Sequence, residues 1–268
     1  MALESVPPLA LVAVRYTLSG LILLTVSWAA GKHIPRGREF WITARNGVIV
    51  LGVGNGALAF AEQWIPSGLA ALFITLSPFW MIAIEALVPG GEPLHGPTIG
   101  GMLVGLAGVG FLVEPGLEGS SIHGALIAGF LTLQLGCAGW CLGSILQRRQ
   151  NTRAHPIISG AIQQFATGLV FLVPAFASGS MHPRGWTMRS GVAIGYLVVF
   201  GSIVGYSAYI YAMDKLPVAL VSIYSYVNPV VAIALGWLFY REPFGFRETA
   251  AMLVIFAGVA IVKRYGRH

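Results

Sequence analysis

Charged residues are scarce in this chain. Only 10% of its 268 residues are Asp, Glu, Lys or Arg, whereas 56% are hydrophobic and the mean hydropathy is +0.77. A soluble domain carries about 25% charged residues because its surface faces water. A composition so poor in charge excludes a soluble protein and indicates that much of the outer surface faces lipid.

Cysteine and catalytic groups are also few. Cys137 and Cys141 lie four residues apart in one apolar segment, which excludes a disulfide framework and leaves a metal ion without further ligands. All six histidines fall in loops or at segment ends. The apolar segments hold no nucleophile with a base and no paired carboxylates, so we expect neither an enzyme nor a metal or cofactor site.

The net charge of +6 does not indicate nucleic-acid binding. Such proteins gather basic residues and aromatic residues on one element, whereas here the basic residues form short runs between apolar segments. This distribution is typical of the cytoplasmic loops of a membrane protein.

Nine apolar segments are long enough to cross a bilayer, since a helix rising 1.5 Å per residue needs about 20 residues to do so. These segments are continuous, whereas the strands of a membrane barrel alternate in polarity over about ten residues. The sequence therefore predicts an all-α polytopic transmembrane helix bundle. Its expected spans are Pro8–Ala30, Ile42–Glu62, Pro66–Val88, Gly96–Val113, His123–Leu146, Pro156–Ser178, Gly191–Met213, Pro217–Tyr240 and Phe246–Val262.

The lysines and arginines of the loops predict the orientation of the bundle. Eleven fall on one side and four on the other. We therefore expect the C-terminus in the cytoplasm and Met1 outside. The basic side holds Lys32, Arg36, Arg38, Arg45, Arg148, Arg149, Arg153, Lys215, Lys263, Arg264 and Arg267.

The two halves of the chain resemble each other, which predicts a first repeat over residues 1–115 and a second over residues 116–268. The paired segments are Pro8 with Pro156, Ser19-Gly20-Leu21 with Thr167-Gly168-Leu169, Gly54 with Gly205, Pro66–Ala71 with Pro217–Ser222, Ser77-Pro78 with Asn228-Pro229, Gly91-Glu92-Pro93 with Arg241-Glu242-Pro243, and Gly108-Val109 with Gly258-Val259.

This pairing matches helices two to five of one half with helices seven to ten of the other. The span His123–Leu146 is left without a counterpart. We therefore expect that one helix preceding Met1 is missing, through truncation or a misplaced start codon. Because five is an odd number, the second copy of a five-helix repeat crosses the membrane in the opposite orientation to the first. Such inverted repeats are an architecture of secondary transporters.

The quoted residues resemble the drug/metabolite transporter superfamily, in its ten-helix EamA-type branch. Pro7-Pro8-Leu9 followed by Arg15-Tyr16 is similar to the start of that family's second helix. Gly54-Asn55-Gly56 through Glu62 and then Pro66–Ala71 are similar to its third and fourth helices. Tyr224–Val231 followed by Arg241-Glu242-Pro243 is similar to its ninth helix and the loop after it. The resemblance implies a ten-helix exporter of amino acids, other metabolites or drugs in a bacterial inner membrane.

Polar and kinked positions near the middle of the spans are the candidate substrate site. A polar side chain in hydrocarbon needs a partner, so these residues are expected to face the bundle interior. Each one alone is equally well explained as a link between helices. Pro78 and Pro229 are candidate hinges whose i−4 carbonyls lose their backbone donors. The predicted lining consists of Asn55, Phe79, Trp80, Gln134, Gln163, Tyr206, Tyr224 and Asn228.

Three charged residues within the spans need an explanation. A buried arginine costs about 2.5–3.5 kcal/mol on insertion scales, so Arg15 either attracts an anionic solute group or pairs with a carboxylate or helix-end carbonyls. Glu62 and Glu85 are candidates for proton coupling, although a helix cap and a side chain reaching the interface explain them equally well.

Glycines four residues apart recur and predict close helix contacts, as at Gly52/Gly56, Gly101/Gly105, Gly139/Gly143, Gly191/Gly195 and Gly201/Gly205.

The function expected from these features is secondary transport, with export of a small organic solute by alternating access. A carrier of sugar phosphates or nucleotide sugars is the alternative within the same fold, but it needs several cations in the cavity. An integral-membrane enzyme, a channel and a scaffold are the other classes. The expected partners are a small-molecule substrate and the lipid bilayer, and either a monomer or a homodimer is compatible with the sequence.

Overall fold

A computed structural model describes residues 2–89, 96–113, 120–150, 152, 154–182, 186–216, 238 and 245–265. These ranges fold into helices without any strand, which confirms the prediction of an all-α chain. The helices are α1 (Pro8–Ala29), α2 (Arg38–Ala61), α3 (Ser67–Ile74), α4 (Ser77–Leu87), α5 (Gly96–Val113), α6 (Ser120–Arg149), α7 (Pro156–Ala177), α8 (Met188–Lys215) and α9 (Phe246–Tyr265).

Six helices of the described ranges are long and apolar enough to cross a membrane, namely α1, α2, the α3–α4 pair from Leu69 to Leu87, α6, α7 and α8. Large apolar side chains on their surfaces are exposed, among them Trp28, Leu131 and Val173. Exposed apolar side chains on a membrane-spanning helix face lipid.

Three of the predicted site and hinge residues, Tyr224, Asn228 and Pro229, lie outside the described residues.

The chain divides into two compact units. The first comprises Met1–Ala59 and Leu142–Pro217, and the second comprises Phe60–Cys141 and Val218–His268. Each unit draws on both halves of the sequence, so the units are not the two predicted repeats.

In the first unit, α1 and α7 are in backbone contact at two glycines. A Cβ atom on Gly20 would lie 2.3 Å from the backbone nitrogen of Phe165, and one on Gly168 would lie 2.3 Å from that of Thr17. The repeat alignment pairs Gly20 with Gly168, and the same register pairs Thr17 with Phe165. Residue numbers rise along α1 where they fall along α7, so the two helices cross in antiparallel orientation.

Both α2 and α8 contain a π-helical segment, Val48–Asn55 in α2 and Leu197–Tyr206 in α8. Such segments are rare and are frequently found at functional sites. Their last residues, Asn55 and Tyr206, are paired by the sequence repeat. The wider helical turn thus ends at equivalent positions in the two halves.

In the second unit, the chain is interrupted just before Pro78. Helix α3 ends at Ile74 and α4 begins at Ser77. Because Pro78 has no N–H to donate, the Ile74 carbonyl accepts a hydrogen bond from the Ser77 hydroxyl at 2.6 Å. The carbonyl that the sequence analysis expected to be left free is therefore already occupied, while hinge motion at Pro78 stays a prediction.

The expected close contacts are found at some glycine pairs and not at others. In the second unit, a Cβ on Gly258 would lie 2.5 Å from the backbone nitrogen of Gly105, which brings α5 and α9 together. At Gly191 and Gly195 the prediction is wrong, because no atom of the described chain lies within 4 Å of a Cβ built there. These two glycines are on the exposed face of the start of α8, whereas Ile194 on its other face is packed with Ala10 and Leu11 of α1.

Candidate functional site

Buried polar side chains of the first unit are joined across helices. The Asn55 side-chain amide, at the end of the α2 π-helical segment, donates to the Tyr16 hydroxyl of α1 at 2.7 Å. Tyr16 is 1% exposed. The contact satisfies two polar groups inside an apolar helix pair, as the cost of leaving them unpaired requires.

A longer chain of hydrogen bonds links α6, α7 and α8. The Tyr206 hydroxyl donates to the Gln163 side-chain oxygen at 2.5 Å. The Gln163 amide in turn donates to the side-chain oxygen of Gln147 at 2.6 Å. Gln163 has no exposed surface and Tyr206 is 4% exposed. Three spans of this unit therefore meet through polar side chains in its interior.

Arg15 has partners that the sequence analysis did not name. Its Nε donates to the Ser202 hydroxyl at 2.7 Å, and its guanidinium carbon lies 5.0 Å from the centre of the Tyr16 ring. Structural pairing of Arg15 was expected with a carboxylate or with helix-end carbonyls. Within the described ranges its partners are instead a hydroxyl and an aromatic ring. A Cβ on Gly201 would lie 2.8 Å from the guanidinium, so that glycine leaves room for the arginine.

Gln164 is a buried amide without a hydrogen bond. The side chain has no exposed surface, and neither its oxygen nor its nitrogen has a partner in the described chain. An unpaired buried polar group of this kind costs about 1–3 kcal/mol. The repeat register aligns Gln164 with Tyr16, whose hydroxyl is bonded to Asn55. The equivalent bond, from Tyr206 to Gln164, is absent because Tyr206 is bonded to the adjacent Gln163.

The second unit contains the remaining described candidates. The Trp80 indole N–H donates to the Gln134 side-chain oxygen at 2.9 Å. The Phe79 ring is buried and lies over Gly105, where a Cβ would be 2.3 Å from it. Trp80 and Gln134 therefore form a polar link between α4 and α6, while Phe79 packs against α5.

The structure thus gathers the candidates into two groups. Arg15, Asn55, Gln163 and Tyr206 belong to the first unit, and Pro78, Phe79, Trp80 and Gln134 to the second. Glu62 is exposed just beyond the end of α2, and Glu85 is partly buried near the end of α4. A role of either carboxylate in proton coupling stays a prediction.

Both cysteines are buried in the second unit. Cys137 and Cys141 are 4% and 1% exposed. The Ser77 hydroxyl oxygen lies 3.3 Å from the sulfur of Cys137, and the Cys141 thiol donates to the carbonyl of Ser77 at 3.3 Å.

We expect neither thiol to react with a maleimide in the folded protein, since a reagent reaches only exposed thiolates. Mass spectrometry should find labelling in detergent denaturant and essentially none in the folded protein. A cysteine introduced at Lys32, which is exposed in the segment between α1 and α2, is the positive control. Rapid modification of Cys137 or Cys141 in folded protein would contradict the burial.

Sequence reasoning did not select Tyr16, Gln147, Gln164 or Ser202 as site residues. For two of them a signal was present, because the repeat register aligns Arg15-Tyr16 with Gln163-Gln164. A polar pair that recurs at equivalent positions of two apolar helices indicates interior contact more strongly than one residue does. Gln147 and Ser202 carry no such signal.

Comparison with known proteins agrees with this architecture. The chain is 32% identical over 263 residues to the inner membrane transporter YedA of Escherichia coli K12, covering 98% of this chain and 83% of that one. It is 24% identical to the transporter YvbV of Bacillus subtilis, over 97% and 84% of the two chains. A probable amino-acid metabolite efflux pump of Escherichia coli K12 is 23% identical, over 97% and 87%.

A solved crystal structure shares the fold, with a TM-score of 0.71 and 21% identity over 100% of this chain and 91% of the other. The model of the EamA-like transporter family matches residues 1–113 and 127–264. Membrane-spanning helices, a buried polar interior and these relatives agree on one assignment. The chain is an integral protein of the bacterial inner membrane and belongs to the EamA-like transporter family.

Proposed function

We propose that this protein exports a small neutral or zwitterionic organic solute, such as an amino acid or a related metabolite, by alternating access. The observation that carries the proposal is the polar interior of the first unit. There Gln147, Gln163 and Tyr206 are hydrogen-bonded, and Gln164 has no partner for either amide atom among the described residues. An amide that both donates and accepts suits a neutral or zwitterionic polar solute.

The proposed mechanism uses two inverted repeats, residues 1–115 and 116–268. The contacts between α1 and α7 support this mechanism. Replacing each residue of the Gly20–Phe165 contact by its repeat equivalent gives the Gly168–Thr17 contact, which is also present. The ends of the two π-helical segments at Asn55 and Tyr206 agree with the same exchange. Two repeats that swap conformations open a shared site first to one side and then to the other.

The charge of the interior favours this substrate class over sugar phosphates. A multiply charged phosphate needs several cations, and Arg15, which lies about two turns into its predicted span, already donates to Ser202. The proposed orientation has the C-terminus in the cytoplasm, with Pro78 and Pro229 as hinges. The protein moves its solute unchanged and acts as a transporter, not as an enzyme.

The test is counterflow in proteoliposomes that hold the purified chain. A panel of amino acids, other metabolites and cationic drugs is loaded inside at millimolar concentration, and uptake of the labelled solute is followed. We expect saturable counterflow of at least one panel member, lowered at least about tenfold by Asn55→Leu, since that change removes the part-buried hydrogen bond to the Tyr16 hydroxyl. Absence of counterflow for the whole panel would refute the proposal.

A further inference from the structure

A cavity of about 550 Å³ opens in the first unit between the end of α6, the start of α7 and the end of α8. Its charged lining residues are Arg148, Asp214 and Lys215. Asp214, the only aspartate of the sequence, lies 2.8 Å from the Lys215 ammonium, and both side chains are about half exposed. The cavity therefore offers cationic groups beside one carboxylate.

The inner wall of the cavity carries an unsatisfied hydroxyl. Ser159 has no exposed surface, its oxygen has no hydrogen-bond partner in the described chain, and it lines the cavity. A buried hydroxyl without a partner is destabilising unless something else satisfies it. Ser159 therefore offers a hydrogen-bonding group to a ligand at this depth of the cavity.

Apolar side chains form another part of the lining. Ile210 and Met213, on the last turns of α8, are 4% and 6% exposed, and Leu216 follows them. A site that combines both signs of charge with aliphatic contacts suits a solute with a carboxylate, an ammonium and an aliphatic side chain. Inorganic phosphate suits it less well, because Asp214 repels an anion.

The cavity also touches the buried polar chain. Gln147 lines it and accepts the hydrogen bond of Gln163, which accepts that of Tyr206. Ser159 lies four residues before Gln163 on α7, so it occupies the same helix face one turn nearer the cavity. A solute held at Ser159 is thus one helical turn from the interior amides.

We propose that this cavity is a capture site for aliphatic zwitterions, in which Arg148 and Lys215 bind the carboxylate, Asp214 binds the ammonium and Ser159 receives a hydrogen bond. It precedes the interior site on the export path, so it rests on the proposed function. The predicted topology places Arg148 and Lys215 on the cytoplasmic side, where an exported solute enters.

The test measures binding separately from transport. The full chain in lipid nanodiscs is dialysed against labelled L-leucine, 2-hydroxy-4-methylpentanoate, which lacks the ammonium, and L-leucine methyl ester, which lacks the carboxylate. We expect L-leucine to bind at least about tenfold more tightly than either analogue, because each analogue loses one charge contact. Equal affinity for the hydroxy acid would overturn the zwitterion site in favour of an anion site.

Two variants with equal loss of charge locate the site. Arg148→Gln with Lys215→Gln should weaken L-leucine binding at least about tenfold, and high salt should reduce the difference from wild type. The control, Lys32→Gln with Arg36→Gln, removes one lysine and one arginine from the same predicted side outside the cavity. It should change the affinity by less than about twofold, since these exposed charges are screened from the cavity.

The variant Ser159→Ala separates a loss of binding from a loss of stability. Its hydroxyl has no hydrogen bond to lose within the described residues, so the melting temperature should not fall, while L-leucine binding should weaken at least about fivefold. Wild-type affinity in both the double variant and Ser159→Ala would overturn the capture site. If these variants bind L-leucine normally but proteoliposomes still show counterflow, only the capture site is refuted and the proposal of export stands. Export itself is refuted by the absence of counterflow for the whole panel.

Discussion

Replacing Gln164 with leucine is expected to abolish most transport while leaving the folded protein at least as stable as the wild type. The side chain is fully buried, and neither amide atom has a hydrogen-bond partner in the part of the chain that the structure describes. Leucine fills a similar volume and removes a group whose unpaired burial costs about 1–3 kcal/mol. We therefore expect an unchanged or higher melting temperature, together with a counterflow rate at least about tenfold lower.

The neighbouring Gln163 provides the matched control. Gln163→Leu removes the acceptor of the Tyr206 hydroxyl and the donor to Gln147, so it should lower the free energy of unfolding by about 1–3 kcal/mol. The two substitutions are chemically the same and lie one position apart. If Gln164→Leu unfolds as readily as Gln163→Leu, or transports at the wild-type rate, Gln164 has no role in binding the solute.

Gly168→Ala is expected to push α1 and α7 apart and to lower strongly both the stability and the yield of folded protein. The added methyl group would meet the backbone nitrogen and Cα of Thr17 at 2.3 and 2.7 Å. Backbone cannot rotate away as a long side chain does, so the helices must move apart. Overpacking of this kind costs about 1–3 kcal/mol or more. Gel filtration of a fluorescent fusion should show a melting point well below that of the wild type.

Gly20→Ala should have a similar effect, because its Cβ would lie 2.3 Å from the backbone of Phe165 at the same crossing. Once either substitution has moved the helices apart, the second has little left to disrupt, so the double variant should be less than additive. Gly195→Ala is the control, since no described atom lies near its Cβ. Wild-type melting of Gly168→Ala would show that the two backbones are not in contact.

The membrane spans were predictable from the sequence because the hydropathy of a segment is the sum of contributions from residues next to one another in the chain. It does not depend on tertiary contacts. The predicted span Gly96–Val113 coincides with α5, and Pro156–Ser178 differs from α7 by one residue. The helix ends were less predictable. Helix α6 continues to Arg149, where two arginines favour the negative end of the helix dipole. Helix α8 starts at Met188 because Thr187 and Ser190 form a capping box.

The site was predictable only in part. The sequence indicated that Asn55, Gln163 and Tyr206 lie inside the bundle, because a polar group facing hydrocarbon is too costly. It did not indicate their partners. Tyr16, Gln147 and Ser202 became site residues only when the helices that carry them were placed side by side.

By itself the sequence determined the environment of this protein and which side chains must avoid lipid. Both follow from transfer free energies that each residue contributes wherever its neighbours lie. Only the tertiary structure decided that Tyr206 is bonded to Gln163 and that the adjacent Gln164 is left without a hydrogen bond to any described residue. A hydrogen bond requires two atoms about 3 Å apart in a narrow range of angles, and that geometry arises only when separate helices pack.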